Sequence, residues 1–372
     1  MTNNTPFYLF LNWIFYESPR RIIEILAHFT TIDDFIKGGL HYLHSRGISP
    51  ESIKFYSSRM ESFHLDRYMT VLDRAGIKLL TRDMTEYPYL LTHLTDPPPL
   101  LYYKGNLKFL SQEAFAIVGT RQITDYGSRC TRLFTAGLMA HFVIVSGMAA
   151  GVDTVAHDTC LEAGCPTIAV VGTGLDRVYP TTNRMLFERL SKEGLVLSEF
   201  PLYSEGRAHH FPQRNRIVSG IARGTLICEA SEDSGSLITA RLTAELGRDV
   251  FVIPGSIFSD QTKGNHALIR DGAQLVTSPE EILSEYSMMS QPTLPFFSIS
   301  TPPKAPAPKP VELLTEQEKL VWNSLQAGPL SLDGIAIKTK FPVHIIMQSL
   351  SVFEIKQWVE RLPGGLYQKT TT

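Results

Sequence analysis

The chain has 372 residues, 43% of them apolar and 19% charged, with 35 Lys and Arg against 37 Asp and Glu. That length holds two or three domains, each with its own core. The balanced charge excludes binding of nucleic acid by bulk basicity but leaves room for a local cationic groove. Cys130, Cys160, Cys165 and Cys228 form no CxxC pair and no zinc spacing, so a reduced protein with no structural disulfide and no metal is expected. The apolar stretch from Phe7 to Tyr16 is broken by Asn12, lacks the basic flank of a signal peptide and is too short for a bilayer. The expectation is a soluble, cytoplasmic protein without a membrane partner.

In chain order, residues 1–75 read as a small helical domain, SAM- or helix-hairpin-like. Apolar residues recur at helical spacing in Ile22, Ile23, Ile25, Leu26 and Phe29, and again in Ile53, Tyr56, Met60 and Phe63. Residues 76–288 alternate helical stretches with short apolar runs: Phe115 to Val118, Val143 to Val145, Thr167 to Val171, Leu195 to Leu197, Thr225 to Cys228 and Val250 to Ile253. Buried parallel strands read this way. The fold class is therefore α/β, an extended Rossmann-like, doubly wound sheet with helices on both faces. A linker is expected over 289–311, where prolines cluster. Residues 312–372 read as a winged-helix-like module: a capping box at Thr315 to Glu318, two further helices and a hairpin around Pro363-Gly364-Gly365. Six basic and six acidic residues in this last module give no electrostatic support for DNA binding by it.

Ligands of a parallel sheet bind beyond the carboxyl ends of its strands, so the residues that follow each run carry the functional reading. These are Gly119-Thr120-Arg121, Ser146-Gly147-Met148-Ala149-Ala150-Gly151, Gly172-Thr173-Gly174, Ser234-Gly235-Ser236 and Lys263-Gly264-Asn265. Glycine turns at helix starts let the backbone approach a ligand and aim N–H groups at it, which suits phosphates. Of sixteen basic residues between 105 and 285, thirteen are arginine, whose fork matches phosphate oxygens. The segment Arg207, His209, His210, Arg214, Asn215, Arg216 concentrates them. Tyr126, Tyr179 and Phe211 are candidates for stacking on bases. His157 reads as part of a polar helix face, and His209-His210 reads as phosphate-contacting or structural, because a metal site needs further ligands.

Absent motifs narrow the choice. Gly172-Thr-Gly174 lacks the third glycine of the dinucleotide fingerprint, and neither a GxxxxGK(S/T) loop nor a GxSxG elbow occurs. The rival reading is an enzyme, a nucleotide phosphoribohydrolase of the cytokinin-activating (LOG-like) type. Its GGxGTxxE motif is missing from Ser234 to Arg241, and Glu245 is displaced.

The turns together resemble the DNA-processing protein A family (DprA/Smf). The resemblance rests on Val118 to Gly127, Ser146 to Asp153 with His157, Ile168 to Asp176 with Tyr179-Pro180 and Asn183, Ser198-Glu199, and Phe211 to Arg216. It continues through Glu229-Ala230, Ser234 to Ala240, Gly247-Arg248, Pro254-Gly255 and Gly264-Asn265 to Gly272-Ala273. It spans about Tyr87 to Ile282, with Met148 where Gly or Leu is ordinary. The resemblance implies a non-enzymatic protein without an essential cofactor. Such a protein binds and protects single-stranded DNA with little sequence preference, loads RecA recombinase during natural transformation and recombination, and pairs as a homodimer through the Rossmann-like domain, with Asn265 to Val276 as the expected contact. It implies a DNA or phosphate role for Gly119, Thr120, Arg121, Ser146, Gly147, Gly172, Arg214, Asn215, Arg216, Ser234, Gly235, Ser236, Lys263 and Asn265, and no catalytic residues.

Overall fold

The computed structural model describes residues 4–286, 315–355, 358–362 and 366–369. The chain divides into two compact units, Met1–Ile299 and Ser300–Thr372. The linker expected over 289–311 and the turn at Pro363-Gly364-Gly365 lie outside the described residues.

The first unit opens with five helices: α1 (Thr5–Phe15), α2 (Pro19–Leu26), α3 (Ile32–Ser45), α4 (Pro50–Glu61) and α5 (Leu65–Arg74). Local chemistry sets their starts. Proline lies in the first turn of α1, α2 and α4, and Thr31 and Ser49 accept N–H bonds as caps. Phe7, Phe10, Leu11, Ile14 and Phe15 of α1 close a core with Ile22, Ile25, Phe35 and Leu43. Asn12, the polar break in that apolar run, is fully buried. Its amide donates to the Glu199 carbonyl at 3.2 Å, and its oxygen accepts from Tyr102 at 2.9 Å. The helices thus join the sheet in one unit.

The sheet follows as β1 (Lys78–Thr81), β2 (Leu100–Gly105), β3 (Ala114–Val118), α6 (Asp125–Leu138), β4 (Val143–Ser146), α7 (Val152–Glu162), β5 (Thr167–Val171), α8 (Arg184–Glu193) and β6 (Leu195–Ser198). It continues with α9 (His210–Ile221), β7 (Gly224–Ile227), α10 (Ser236–Glu245), β8 (Asp249–Val252), α11 (Lys263–Arg270), β9 (Gln274–Leu275) and α12 (Pro279–Glu285). Nine strands lie in the order β1-β2-β6-β5-β4-β3-β7-β8-β9. Strands β3 to β9 pair in parallel, whereas β2 runs antiparallel to β6 and β1 antiparallel to β2. The sequence reading omits β1, β2 and β9. β2 begins directly after Pro97-Pro98-Pro99, a run that reads as loop, and β9 is only two residues long.

Alternation across the pleat divides β3 between two cores. Ala116 and Val118 meet Ile217, Val218 and Ile221 of α9 on one face. Phe115 and Ile117 meet Phe134 and Leu138 of α6 and Val152 and Ala156 of α7 on the other. Every residue of β3 through β7 is buried as a result.

The second unit comprises α13 (Glu316–Ser324), β10 (Leu330–Ser331), α14 (Leu332–Thr339), α15 (Val343–Ile355), β11 (Val359–Leu362) and β12 (Leu366–Lys369), the strands ordered β10-β12-β11. Its core joins Val321, Leu325, Ile335, Ile346, Leu350, Phe353, Val359 and Tyr367. The capping box at Thr315 and Glu318 is present in both directions. This is a winged-helix arrangement. Among the described residues, no helix is long and apolar enough to cross a membrane.

Candidate functional site

β4, β5 and β6 extend the sheet on one side of β3, and β7, β8 and β9 on the other. The strand order therefore reverses at β3, and a crevice forms beyond the carboxyl ends there. An open cleft of about 660 Å³ occupies this position, lined by residues from the β3–α6 turn, the β4–α7 turn, the first turns of α9 and the β7–α10 segment.

Glu229 braces the cleft's first turn from behind, outside the lining. Its carboxylate accepts from the Thr124 hydroxyl at 2.5 Å and the Thr124 amide at 2.9 Å, and its carbonyl accepts from the Thr120 amide at 2.7 Å. A Cβ at Gly127 would collide with this carboxylate. Glu229 therefore locks the Gly119–Thr124 turn against β7, and Thr124 caps α6. In the next turn, the Asp153 carboxylate accepts from the Gly147 amide at 3.1 Å and the Ala149 amide at 3.2 Å. Met148 adopts a left-handed φ of 57°, which accounts for glycine suiting that place. Its carbonyl accepts from the Asn183 amide at 3.0 Å.

Arg214 lies across this turn. A Cβ at Gly147 would land on its guanidinium, so glycine there makes room for the arginine. Burial pushes the Arg214 pKa down to about 10, and Asp153 opposes the shift. The group stays cationic at neutral pH. Burial raises the Asp153 pKa, with Arg214 holding it back.

The exposed side of the cleft is aromatic and basic. The Arg121 guanidinium carbon sits 5.2 Å from the Phe211 ring centre, and Phe211 packs on Tyr179 with centroids 5.2 Å apart. Gly172 keeps Phe211 close, since its Cβ would stand 3.1 Å from the ring. Across the cleft, Ser234, Gly235 and Ser236 form the start of α10, where the Ser236 amide donates to the Ser234 hydroxyl at 3.4 Å and the Leu237 amide to the Ser234 carbonyl at 3.1 Å. The Ser234 and Ser236 hydroxyls lie 2.7 Å apart, and Asn215 donates to the Gly235 carbonyl at 3.3 Å. Formal charges of the lining cancel, Arg121 and Arg214 against Asp153 and Asp233. Asp153 is buried and engaged, so Arg121 and Asp233 are the charges facing solvent.

The structure thus gathers Gly119, Thr120, Arg121, Arg214, Asn215, Ser234, Gly235 and Ser236 in one cleft, with Gly147 and Gly172 in a small cavity beside it. Four expected residues lie elsewhere. Arg216 is buried in an ion pair with Glu199 at 2.6 Å and with Asp96 at 3.4 Å. The reason is helical. Residues two apart on α9 point about 200° apart, so Arg214 and Arg216 leave opposite sides. Ser146 is fully buried and donates to the Ile117 carbonyl at 2.6 Å. Asn265 is buried, donating to the Cys228 and Ile253 carbonyls at 3.0 and 2.8 Å and tying the ends of β7 and β8 together. Lys263 is exposed and pairs with Asp260 at 2.7 Å.

Other sequence readings also change. Tyr126 lies outside the cleft lining, its hydroxyl donating to the Pro254 carbonyl at 2.6 Å. His157 sits on no polar surface. It is fully buried, with Nδ1 2.8 Å from the Thr167 hydroxyl, and burial drives its pKa down to about 3. Gln261 is a cleft residue absent from the sequence reading. It accepts from the Thr120 hydroxyl at 3.1 Å, and its signal was its place just ahead of Lys263.

Comparison with known proteins decides the family. The profile of the DNA recombination-mediator protein A family matches residues 78–287, more than half of the chain. The chain belongs to that family. The DprA winged helix domain matches residues 302–365. Protein Smf of Synechocystis is 37% identical over 318 residues, covering 78% of this chain and 80% of that protein. DNA processing protein DprA of Streptococcus pneumoniae is 46% identical over 200 residues, 54% of this chain and 71% of that one. The X-ray structure of DNA processing protein A from Streptococcus pneumoniae superposes with a TM-score of 0.64 at 34% identity, covering 77% of this chain and 98% of that one. A structure of DNA processing protein A from Helicobacter pylori, described for its single-stranded DNA binding mode, matches with a TM-score of 0.52 at 31% identity, over 57% of this chain and 95% of that one.

Proposed function

We propose that the chain is a DNA-processing protein that holds single-stranded DNA in the cleft at the sheet's switch point. Phosphates sit against the Arg121 and Arg214 guanidinium groups and the N–H groups at the start of α10, with Thr120, Asn215, Ser234 and Ser236 adding polar contacts. Bases stack on the Tyr179–Phe211 pair, which tolerates any base because each has a π face. The observation that carries this reading is the placement of an exposed arginine and an aromatic pair opposite a helix N-terminus in one cleft. The single-stranded DNA binding mode described for the Helicobacter pylori protein supports it.

On this reading the protein shields the strand, pairs as a homodimer through the sheet-containing unit, and delivers the strand to RecA recombinase in the cytoplasm during DNA uptake and recombination. The rival hydrolase needs a free glutamate, and no glutamate lines the cleft among the described residues. Glu229 and Glu199 are both buried and committed, to Thr124 and to Arg216.

The test is fluorescence anisotropy with labelled oligo(dT) across a salt series. Arg121→Ala weakens binding and lowers the salt slope by about one, the signature of one lost phosphate contact. Parent-like affinity and slope in Arg121→Ala would refute the assignment. Incubation with AMP releases no adenine on this account, and release would favour the enzyme.

A further inference from the structure

We infer that the turn after α1 and the start of α9 form a binding site for a zinc-class dication, with Glu17, His209 and His210 as its ligands. The three donor atoms lie within 4.8 Å of one another. Glu17 Oε1 stands 3.6 Å from His209 Nε2 and 3.6 Å from His210 Nε2. A tetrahedral zinc ion with ligands at about 2.1 Å separates them by about 3.4 Å, close to both Glu17 distances, and the exposed His209 ring is free to swing to bring its nitrogen into place. Two imidazoles and one carboxylate are a donor set that zinc accepts, with a fourth place left for water.

His210 is the independent observation. Its side chain is 1% exposed, and its ring nitrogens have only long contacts: no hydrogen bond falls within 3.5 Å, Nε2 faces Glu17 Oε1 at 3.6 Å, and the Gly172 backbone lies on the ring's other polar side. Buried polar groups are nearly always closely partnered, so an imidazole buried with only long polar contacts leaves room for a better ligand. The ring is held in orientation by stacking on Phe200, centroids 4.2 Å apart at 22°, with Nε2 facing Glu17 just beyond hydrogen-bond distance. A metal ion would replace the long Glu17–His210 contact with two short bonds.

The competitors for Glu17 are Arg207, which donates to the same oxygen at 3.0 Å, and the Tyr16 hydroxyl. Arg207 and Glu17 are largely exposed, 59% and 43%, and such pairs are weak. A dication therefore displaces the guanidinium. An ion here would pin α9, which carries Phe211 and Arg214, to the N-terminal helices. Glu17 lies 192 residues from His209, so the sequence shows only the histidine pair.

The test uses the full chain stripped with a chelator. Zn²⁺ is titrated by calorimetry, and Co²⁺ reports its ligand geometry through visible absorption bands. One saturable Zn²⁺ per chain is expected, with affinity reduced about tenfold or more in His209→Ala and in Glu17→Gln. Both are exposed positions whose variants should fold without metal. Arg207→Ala, which frees the carboxylate, binds at least as tightly as the parent. Absence of saturable binding overturns the proposal, as does equal affinity in parent, His209→Ala and Glu17→Gln, or weaker binding in Arg207→Ala.

Discussion

Arg214 and Arg216 stand two residues apart and do opposite work. Arg214 reaches the cleft across Gly147, while Arg216 neutralises a fully buried Glu199. Removing Arg216 leaves that carboxylate buried and unpaired, a loss of about 3–5 kcal/mol. Arg216→Ala should therefore lower the denaturation midpoint sharply, whereas Arg121→Ala, at an exposed side chain, should leave the midpoint near the parent's. His157 sets a pH dependence. Its folded pKa of about 3 lies below the ordinary 6.5, so the fold holds it neutral while the unfolded chain takes up a proton. The stability this contributes is fully present above pH 6.5 and is lost as pH falls toward 3. Thermal melts in acid should show a shallower decline for His157→Gln than for the parent over that range. That the glycine and serine turns meet at one sheet edge was legible from residue type and strand order. The fates of Arg216, Ser146 and Asn265 were not, because side-chain direction on a helix and the carbonyls available at a strand end are set by tertiary packing.

Elements read clearly wherever burial on both faces produced an uninterrupted apolar run. All six runs of the sequence reading are strands, each within a residue of its observed bounds. β1 escaped because a four-residue antiparallel edge strand with an exposed Lys78 does not read as an apolar block, and β2, flanked by β1 and β6, escaped because it starts directly after Pro97-Pro98-Pro99. The link between α1 and the sheet escaped for another reason. Asn12 reads as a flaw in an apolar helix, yet it joins the Tyr102 hydroxyl and the Glu199 carbonyl, partners 90 and 187 residues away. Asn12→Ala should destabilise the first unit by about 1–3 kcal/mol, since it leaves the buried Tyr102 hydroxyl and Glu199 carbonyl unsatisfied. Chemical denaturation followed by tryptophan fluorescence, with Trp13 on the same helix, measures this directly.

For the whole molecule, nearly balanced charge leaves little long-range attraction for a polyanion, and the cleft's own formal charges cancel. On the proposed function, strand binding then depends on local geometry: amides at a helix start, one exposed arginine stacked on an aromatic ring, and a buried arginine behind them. The doubly wound pattern pointed to the carboxyl edge of the sheet, and the reversal of strand order at β3 explains why the cleft opens where it does. The most direct test is a crystal structure of the full chain with oligo(dT). The account predicts phosphates within hydrogen-bond distance of Arg121 and the α10 N-terminus, with at least one base against Phe211 or Tyr179. A strand running over another surface, with this cleft holding only water, would contradict it.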